Sequence, residues 1–273
     1  MLKRTAHSGT IAGKERRQSY DDEFYAMVAA TARSSARAVL PRVFDLCKPK
    51  SVIDLGCGLG TWLAVARELG VADILGVDGA HVAPEALEIP RDRFLVHDLS
   101  LPLDLERRFD LAISLEVAEH LPRECADAFV RTLVGLAPVV LFSAAIPGQG
   151  GTLHLNEQWP SYWADKFATH GHRCIDVLRD EFWGNDEVAW WYQQNMLLFV
   201  RTGHELPGRL AALPIADHSR CRALVHPTRF EAACRAGQGV SRLTVPEILR
   251  QLPSALWRSA QHHIRFRHRG RSR

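Results

Sequence analysis

Asp54-Leu55-Gly56-Cys57-Gly58-Leu59-Gly60 is the stretch that most restricts this chain. Three glycines at alternate positions suit neither a strand nor a helix interior. On one side, Ser51–Leu55 (SVIDL) has the apolar run of a short buried strand. On the other, Thr61–Leu69 places Trp62, Leu63, Ala66 and Leu69 on one helical face, and Gly70 ends it. A strand, a glycine loop and a helix in succession let the backbone turn tightly and approach a ligand with no Cβ in the way. In open α/β sheets, ligands bind beyond the carboxyl ends of the strands, where such a loop sits.

The same rhythm continues downstream. Ile74–Asp78, Phe94–Asp98, Leu111–Leu115, Val139–Ala144, Cys174–Leu178 and Met196–Val200 read as further strands. Between them, Ala126, Phe129, Val130, Leu133 and Leu136 mark a helix after Pro122, and Ser161–Thr169 marks another. Strands alternating with helices predict an α/β fold with a doubly wound, mostly parallel sheet covered on both faces. Ahead of it, Phe24, Met27, Val28, Ala32, Ala36, Val39, Leu40 and Phe44 predict an N-terminal helical segment interrupted at Pro41. After Gly203, prolines at 207, 214, 227, 246 and 253 punctuate short helical pieces. The expected organisation is a mobile basic N-terminus (1–19), a domain with N-terminal helices (20–203), a helical extension (204–256) and a basic tail (257–273).

An apolar share of 47% and a charged share of 24% exclude disorder or coiled coil as the main state. No run of ~20 apolar residues is present, so no transmembrane segment is expected. The run Leu133–Ile146 is broken by Pro138. The first residues lack the apolar core of a secretory signal, and a cytoplasmic location is the expectation. No two of the six cysteines lie within four residues of each other, so neither a zinc ribbon nor a disulfide framework is suggested. The net charge of +3 is uneven: residues 1–17 carry +4 and residues 257–273 carry +6. Residues 18–256 hold 23 basic against 30 acidic side chains, a net of −7. An acidic body is not a nucleic-acid-binding core. The basic tail is either a solvated end or a contact for an anionic surface.

Two nucleotide chemistries compete for the glycine loop. A dinucleotide fingerprint read from Gly56 fails at its last position, which is Thr61. Asp54 at the loop mouth would also repel a pyrophosphate. A ligand with a positive end, such as S-adenosylmethionine, fits better. Asp78, ending the second strand, can accept both ribose hydroxyls. Asp98 and Leu99 can take an adenine amino group and the ring face. On these residues the chain from about Ser51 to Arg201 resembles the class I S-adenosylmethionine-dependent methyltransferases. VIDLGCGLGTWL, GVDG, HDLS and FDLAISLEVAEHL resemble their first four motifs. The resemblance implies a Rossmann-like, seven-stranded mixed sheet with the last strand antiparallel. It implies S-adenosyl-L-methionine held by Asp54, Gly56, Cys57, Gly58, Gly60, Asp78, Asp98, Leu99 and Leu115.

The acceptor side is marked by Glu116-Val117-Ala118-Glu119-His120 after the fourth strand. Were this turn helical, Glu116, Glu119 and His120 would share one face. A hydroxyl acceptor needs a base, and His120 can serve. The pattern also resembles that of small-RNA 2′-O-methyltransferases and ubiquinone-pathway O-methyltransferases. In the former it binds a divalent metal with a histidine beyond strand five. Here His154 stands in that loop, so Glu116, Glu119, His120 and His154 are candidate ligands for Mg²⁺ or Mn²⁺. His154 and Asn156 would face the same way if that segment is extended. The base-methylating amino-group motif is absent after strand four, where Ser114-Leu115-Glu116-Val117 stands, and Cys125 lies too far along to act as a cytosine-directed nucleophile. Trp159, Trp163, Trp183, Trp190 and Trp191, with Tyr162 and Tyr192, form either a packed cap or a stacking surface. The pattern H-x-N-E-Q-W-P-S-Y-W, then W-W-Y-x-Q-N, resembles a bacterial branch of small-molecule and glycan methyltransferases. The expected function is O-methylation of a sugar, glycan or secondary metabolite. RNA 2′-O-methylation, and S-adenosylmethionine binding without catalysis, are the alternatives.

Overall fold

The computed structural model describes residues 30–203 and 221–241. They fall into two units, one ending at His226 and one beginning at Pro227. In the first unit, β1 (Ser51–Leu55), β2 (Asp73–Asp78), β3 (Phe94–Val96), β4 (Leu111–Leu115), β5 (Val139–Ser143), β6 (His172–Ile175) and β7 (Leu197–Arg201) form one sheet. Their order is β3-β2-β1-β4-β5-β7-β6. The first five strands run parallel, and β7 is antiparallel to both β5 and β6. The order reverses between β1 and β4, which makes their carboxyl ends the switch point.

Strand alternation divides the core into two layers. Val52, Leu111, Ile113, Val139, Leu141, Leu198 and Val200 face one apolar cluster. Ile53, Ala112, Val140, Phe142, Leu197 and Phe199 face the other. The first is covered by α1 (residues 30–47), α2 (Thr61–Glu68), α5 (Leu178–Phe182) and α6 (Trp190–Asn195). The second is covered by α3 (Ala126–Leu136) and α4 (Pro160–Thr169). In the second unit, α7 is Pro227–Ser241. Among the described residues no helix is long and apolar enough to cross a membrane.

Four expectations need correction. The N-terminal helix is not interrupted at Pro41. Pro41 is exposed and so is Arg37, so the carbonyl that loses its donor can turn to water, while Ala36, Val39, Leu40, Val43 and Leu46 are fully buried and hold one axis. The third strand stops at Val96 because Asp98 turns the chain, accepting from the Ser100 amide and hydroxyl at 2.9 and 2.7 Å. The sixth strand is His172–Ile175 rather than Cys174–Leu178: Asp176 pairs with Arg179, and Leu178 already opens a helix. Residues 221–226 are not helical and lie against α5 and α6 of the first unit. Residues 1–29, 204–220 and 242–273, and with them both basic ends, lie outside the described residues.

Candidate functional site

At the ends of β1 and β2 the backbone builds a cup. Gly56, Gly58 and Gly60 all have left-handed φ, at 86°, 54° and 83°. The Gly56 and Cys57 amides donate to the Val77 carbonyl at 2.8 and 3.3 Å, which stitches the loop to β2. A Cβ on Gly56 would meet Val117 Cγ2 at 2.3 Å, whereas one on Gly58 would meet no described residue within 4 Å. Gly56 is thus required by packing, and the loop is open above Gly58. Asp78 accepts from the Gly58 and Gly79 amides at 2.7 and 2.6 Å. Each oxygen keeps a lone pair for a hydroxyl. Asp54 is 3% exposed, and burial, then the nearby Asp78 charge, push its carboxyl well above the usual range. Cys57 is buried at the loop. Asp98 is exposed, its carboxyl lowered by Ser100, and Leu99 packs on the second core cluster. Leu115 is buried at the end of β4. An open cradle lined by two aspartates suits a ligand with hydroxyls and a positive end, as S-adenosylmethionine has.

At the ends of β4 and β5 the site is made of side chains. The chain does not leave β4 as an α-helix. Glu116 has φ 55°, and a short 310 helix follows at Ala118–His120. The left-handed residue breaks the expected i, i+3, i+4 face. Glu116 and Glu119 consequently have different surroundings. Glu116 accepts from Asn195 Nδ2 at 3.0 Å and Gln149 Nε2 at 2.9 Å. Its carboxyl is raised by desolvation, which these hydrogen bonds oppose. Glu119 is fully buried, and among the described residues neither carboxyl oxygen has a partner in hydrogen-bond geometry, although the Glu116 carboxyl and the Ala145 backbone lie close by. Burial and the Glu116 charge raise it well above the ordinary value.

The loop after β5 is bound to this turn. The Leu155 and Asn156 amides donate to the Glu119 carbonyl at 2.7 and 3.0 Å. That loop is a turn at Thr152–Leu153, with Leu153 at φ 62°, rather than a strand. The expected alternation still holds, since Asn156 is buried and His154 is mostly so, while Leu153 and Leu155 are exposed. The His120 and His154 rings meet edge to face with centroids 4.8 Å apart. One ligand atom from each of Glu119, His120 and His154 lies within 4.8 Å of the others. Glu116, the fourth candidate ligand, is outside that group. His120 is exposed at its outer edge, and partial desolvation of its inner edge with the neighbouring His154 lowers its pKa.

Glu157 completes the arrangement and was not singled out as a site residue in the sequence. Its Oε1 lies 2.9 Å from His154 Nδ1, and its two oxygens accept from the Gly148 and Gly150 amides at 2.7 and 2.8 Å. An Nδ1–H donated to this carboxylate leaves His154 Nε2 as the ligand or base. Gln149 was missed as well, and Gln194 and Asn195 entered only as the last letters of W-W-Y-x-Q-N, with no role assigned. Of the five clustered tryptophans, Trp163 is core, while Trp159 and Trp183 are exposed.

Comparisons with known proteins bear on the family and the fold. A family profile described as a methyltransferase domain matches residues 28–182. Ribosomal protein L11 methyltransferase of Laribacter hongkongensis (strain HLHK9) is 32% identical over 83 residues, 28% of this chain and 27% of that protein. The same-named protein of Edwardsiella ictaluri (strain 93-146) is 32% identical over 111 residues, 39% of this chain and 33% of that protein. The matches therefore span about a third or less of these curated relatives. Among solved structures, Streptomyces venezuelae DesVI superposes with a TM-score of 0.52 at 14% identity, over 68% of this chain and 98% of that one.

Proposed function

The chain belongs to the S-adenosylmethionine-dependent methyltransferase family, and from that premise we propose that it methylates a hydroxyl oxygen of a sugar, glycan or secondary metabolite. The observation that carries this reading is Glu119, buried and without a hydrogen-bond partner among the described residues, gathered with His120 and His154. A buried polar group with no partner costs about 1–3 kcal/mol, and a carboxylate more. A bound cation or an acceptor hydroxyl would relieve that cost. Hydroxyls are weak nucleophiles at neutral pH, so their methylation needs a group that removes or weakens the O–H bond.

Glu119, His120 and His154 would hold a divalent ion, with His154 offering Nε2 because Glu157 occupies Nδ1. Mg²⁺ or Mn²⁺, when bound, would lower the pKa of an acceptor hydroxyl and orient it. The glycine loop would approach the cofactor's methionine end, and Asp54 would attract its ammonium. Asp78 would accept from the ribose, with Asp98 and Leu99 at the adenine. Leu115 would line the methyl end of the pocket. The protein's share of catalysis is then in-line alignment and handling of one proton.

The test is methyl transfer from isotopically labelled S-adenosylmethionine to pooled glycosides and phenols, with and without EDTA. O-methylated product that disappears with EDTA and returns with Mg²⁺ or Mn²⁺ is expected. Product that is indifferent to EDTA leaves the histidines acting as base without a metal. Methylation confined to amines would overturn the O-directed reading. The same three side chains could also serve a ribose 2′-hydroxyl, which keeps RNA as a second reading. The net −7 of residues 18–256 opposes it. RNA affinity that is weak and collapses with salt would dismiss it.

A further inference from the structure

Cys174 and Cys221 are 47 residues apart in sequence, yet their sulfurs lie 2.9 Å apart. Sequence spacing suggested no disulfide, and the contact exists only because residues 221–226 return to the sheet edge. Cys174 is on β6, 1% exposed, inside the second core cluster. Cys221 is half-buried and packs on the same cluster.

The segment that begins at Cys221 is fastened to α5 and α6. Arg222 pairs with Asp180 at 2.6 Å, and its carbonyl accepts from Arg179 at 2.9 Å. The His226 amide donates to Gln194 Oε1 at 2.8 Å. Gln194 in turn donates to Gln149 Oε1 at 2.9 Å and Asn195 Oδ1 at 3.0 Å. Those two amides hold Glu116. Hydrogen bonds thus run from residue 226, five positions beyond Cys221, to the carboxylate after β4.

We propose that Cys174 and Cys221 are a reversible disulfide site that staples residues 221–226 to β6 when the chain is oxidised. The co-reactant is a small disulfide such as oxidised glutathione. Cys221, the accessible sulfur, attacks one sulfur of the small disulfide as a thiolate and releases the first small thiolate, which takes up a proton. Cys174 then attacks the Cys221 sulfur of the mixed disulfide, loses its proton, and releases the second small thiol. The pair loses two electrons and two protons, and the small disulfide gains them.

The roles follow from the surroundings. The contact with Cys221 and burial raise the Cys174 thiol, while the contact with Cys174 lowers that of Cys221. The more ionised, more accessible sulfur attacks first, and the buried one resolves. Moving from 2.9 Å to the ~2.05 Å of an S–S bond is a sub-ångström shift.

The test uses the full chain, reduced and then equilibrated with oxidised glutathione, and read by intact mass and non-reducing peptide mapping. Wild type and Cys234→Ser are expected to lose two hydrogens and yield a Cys174–Cys221 linked peptide. Cys221→Ser is expected to yield none. The thermal midpoint of the oxidised wild type should rise by about 5–10 °C. Amide exchange at Gln193–Asn195 should slow. A stable glutathione adduct on Cys221 with Cys174 still a reduced thiol, alkylatable after unfolding, would overturn the proposal, as would linkage to any other cysteine. Mapping of wild type alone decides the matter if the variant does not fold. None of these readouts depends on the methyl acceptor.

Discussion

At the ends of β1 and β2 the groups offered to a ligand are largely main chain: glycine amides, left-handed turns, and an aspartate braced by two N–H groups. At the ends of β4 and β5 they are side chains: Glu119, His120 and His154, with Glu157 and the Gln149–Asn195 pair behind them. Backbone geometry is fixed by the strand–loop–helix unit and tolerates few alternatives, so it suits a cofactor that does not vary. Side-chain constellations can change one residue at a time, so they suit an acceptor that differs between relatives. The two halves should therefore fail differently. Lesions in the first should remove binding or folding, and lesions in the second should remove turnover.

The largest expected effect tests that separation. His120→Ala and His154→Ala should each lower turnover by ~10²–10⁴ while leaving S-adenosylmethionine affinity within about twofold. Calorimetry for the cofactor beside single-turnover rates checks both. Equal loss of affinity and turnover would mean that the pair belongs to the cofactor half after all.

Within the glycine loop, two neighbouring positions should part company. Gly56→Ala forces a Cβ to 2.3 Å from a Val117 methyl at φ 86°. It should cost about 2–4 kcal/mol of stability by denaturant titration. Gly58→Ala meets none of the described residues within 4 Å. It should cost only about 1 kcal/mol in stability, yet weaken cofactor binding by about tenfold or more. The reverse ranking would show that the space above Gly58 is not where the ligand lies.

Glu157→Gln removes the charge that orients His154 and keeps nearly the same volume. Mn²⁺ affinity should fall by about 10–100-fold. The melting midpoint should fall only modestly, because the single amide oxygen can still accept from one of the Gly148 and Gly150 amides, while the –NH2 faces the other. Unchanged Mn²⁺ affinity would separate Glu157 from the ligand set.

What could be read in the sequence follows the same division. The proposed cofactor half is local: strand, glycines and helix are consecutive, and Asp78 is recognisable as the end of the next strand. His120 and His154 were visible because each follows an apolar strand whose neighbour in the sheet is the other's. The α-helical reading of residues 116–120 failed because Glu116 takes a left-handed φ that no propensity predicts for a glutamate. The contacts of Gln149 and Asn195 with Glu116 were not legible because they require β7 to run antiparallel beside β5. The helix through Pro41 was hidden for the opposite reason: local propensity pointed one way and the buried face of α1 decided otherwise. The Cys174–Cys221 contact depends on where residues 221–226 settle, which no spacing rule reports.

Asp54→Asn carries the smallest expected effect and tests whether the cofactor half holds an electrostatic strain that the ligand relieves. Burial and the Asp78 charge raise the Asp54 carboxyl in the folded chain. The unfolded value is ~3.9. Between the two, the native state keeps a proton that the unfolded state releases. The stability this group contributes is therefore complete below ~3.9 and is lost as pH rises towards the folded value. Asparagine has nearly the same shape and no such dependence. The variant should gain on wild type as pH rises above ~3.9. Its affinity for the positively charged cofactor should fall over the same range. Urea titrations at about pH 5 and about pH 8 give the comparison. A stability difference that stays constant between the two would mean that Asp54 is ionised and well solvated in the folded chain, and the ammonium would then have to be held elsewhere.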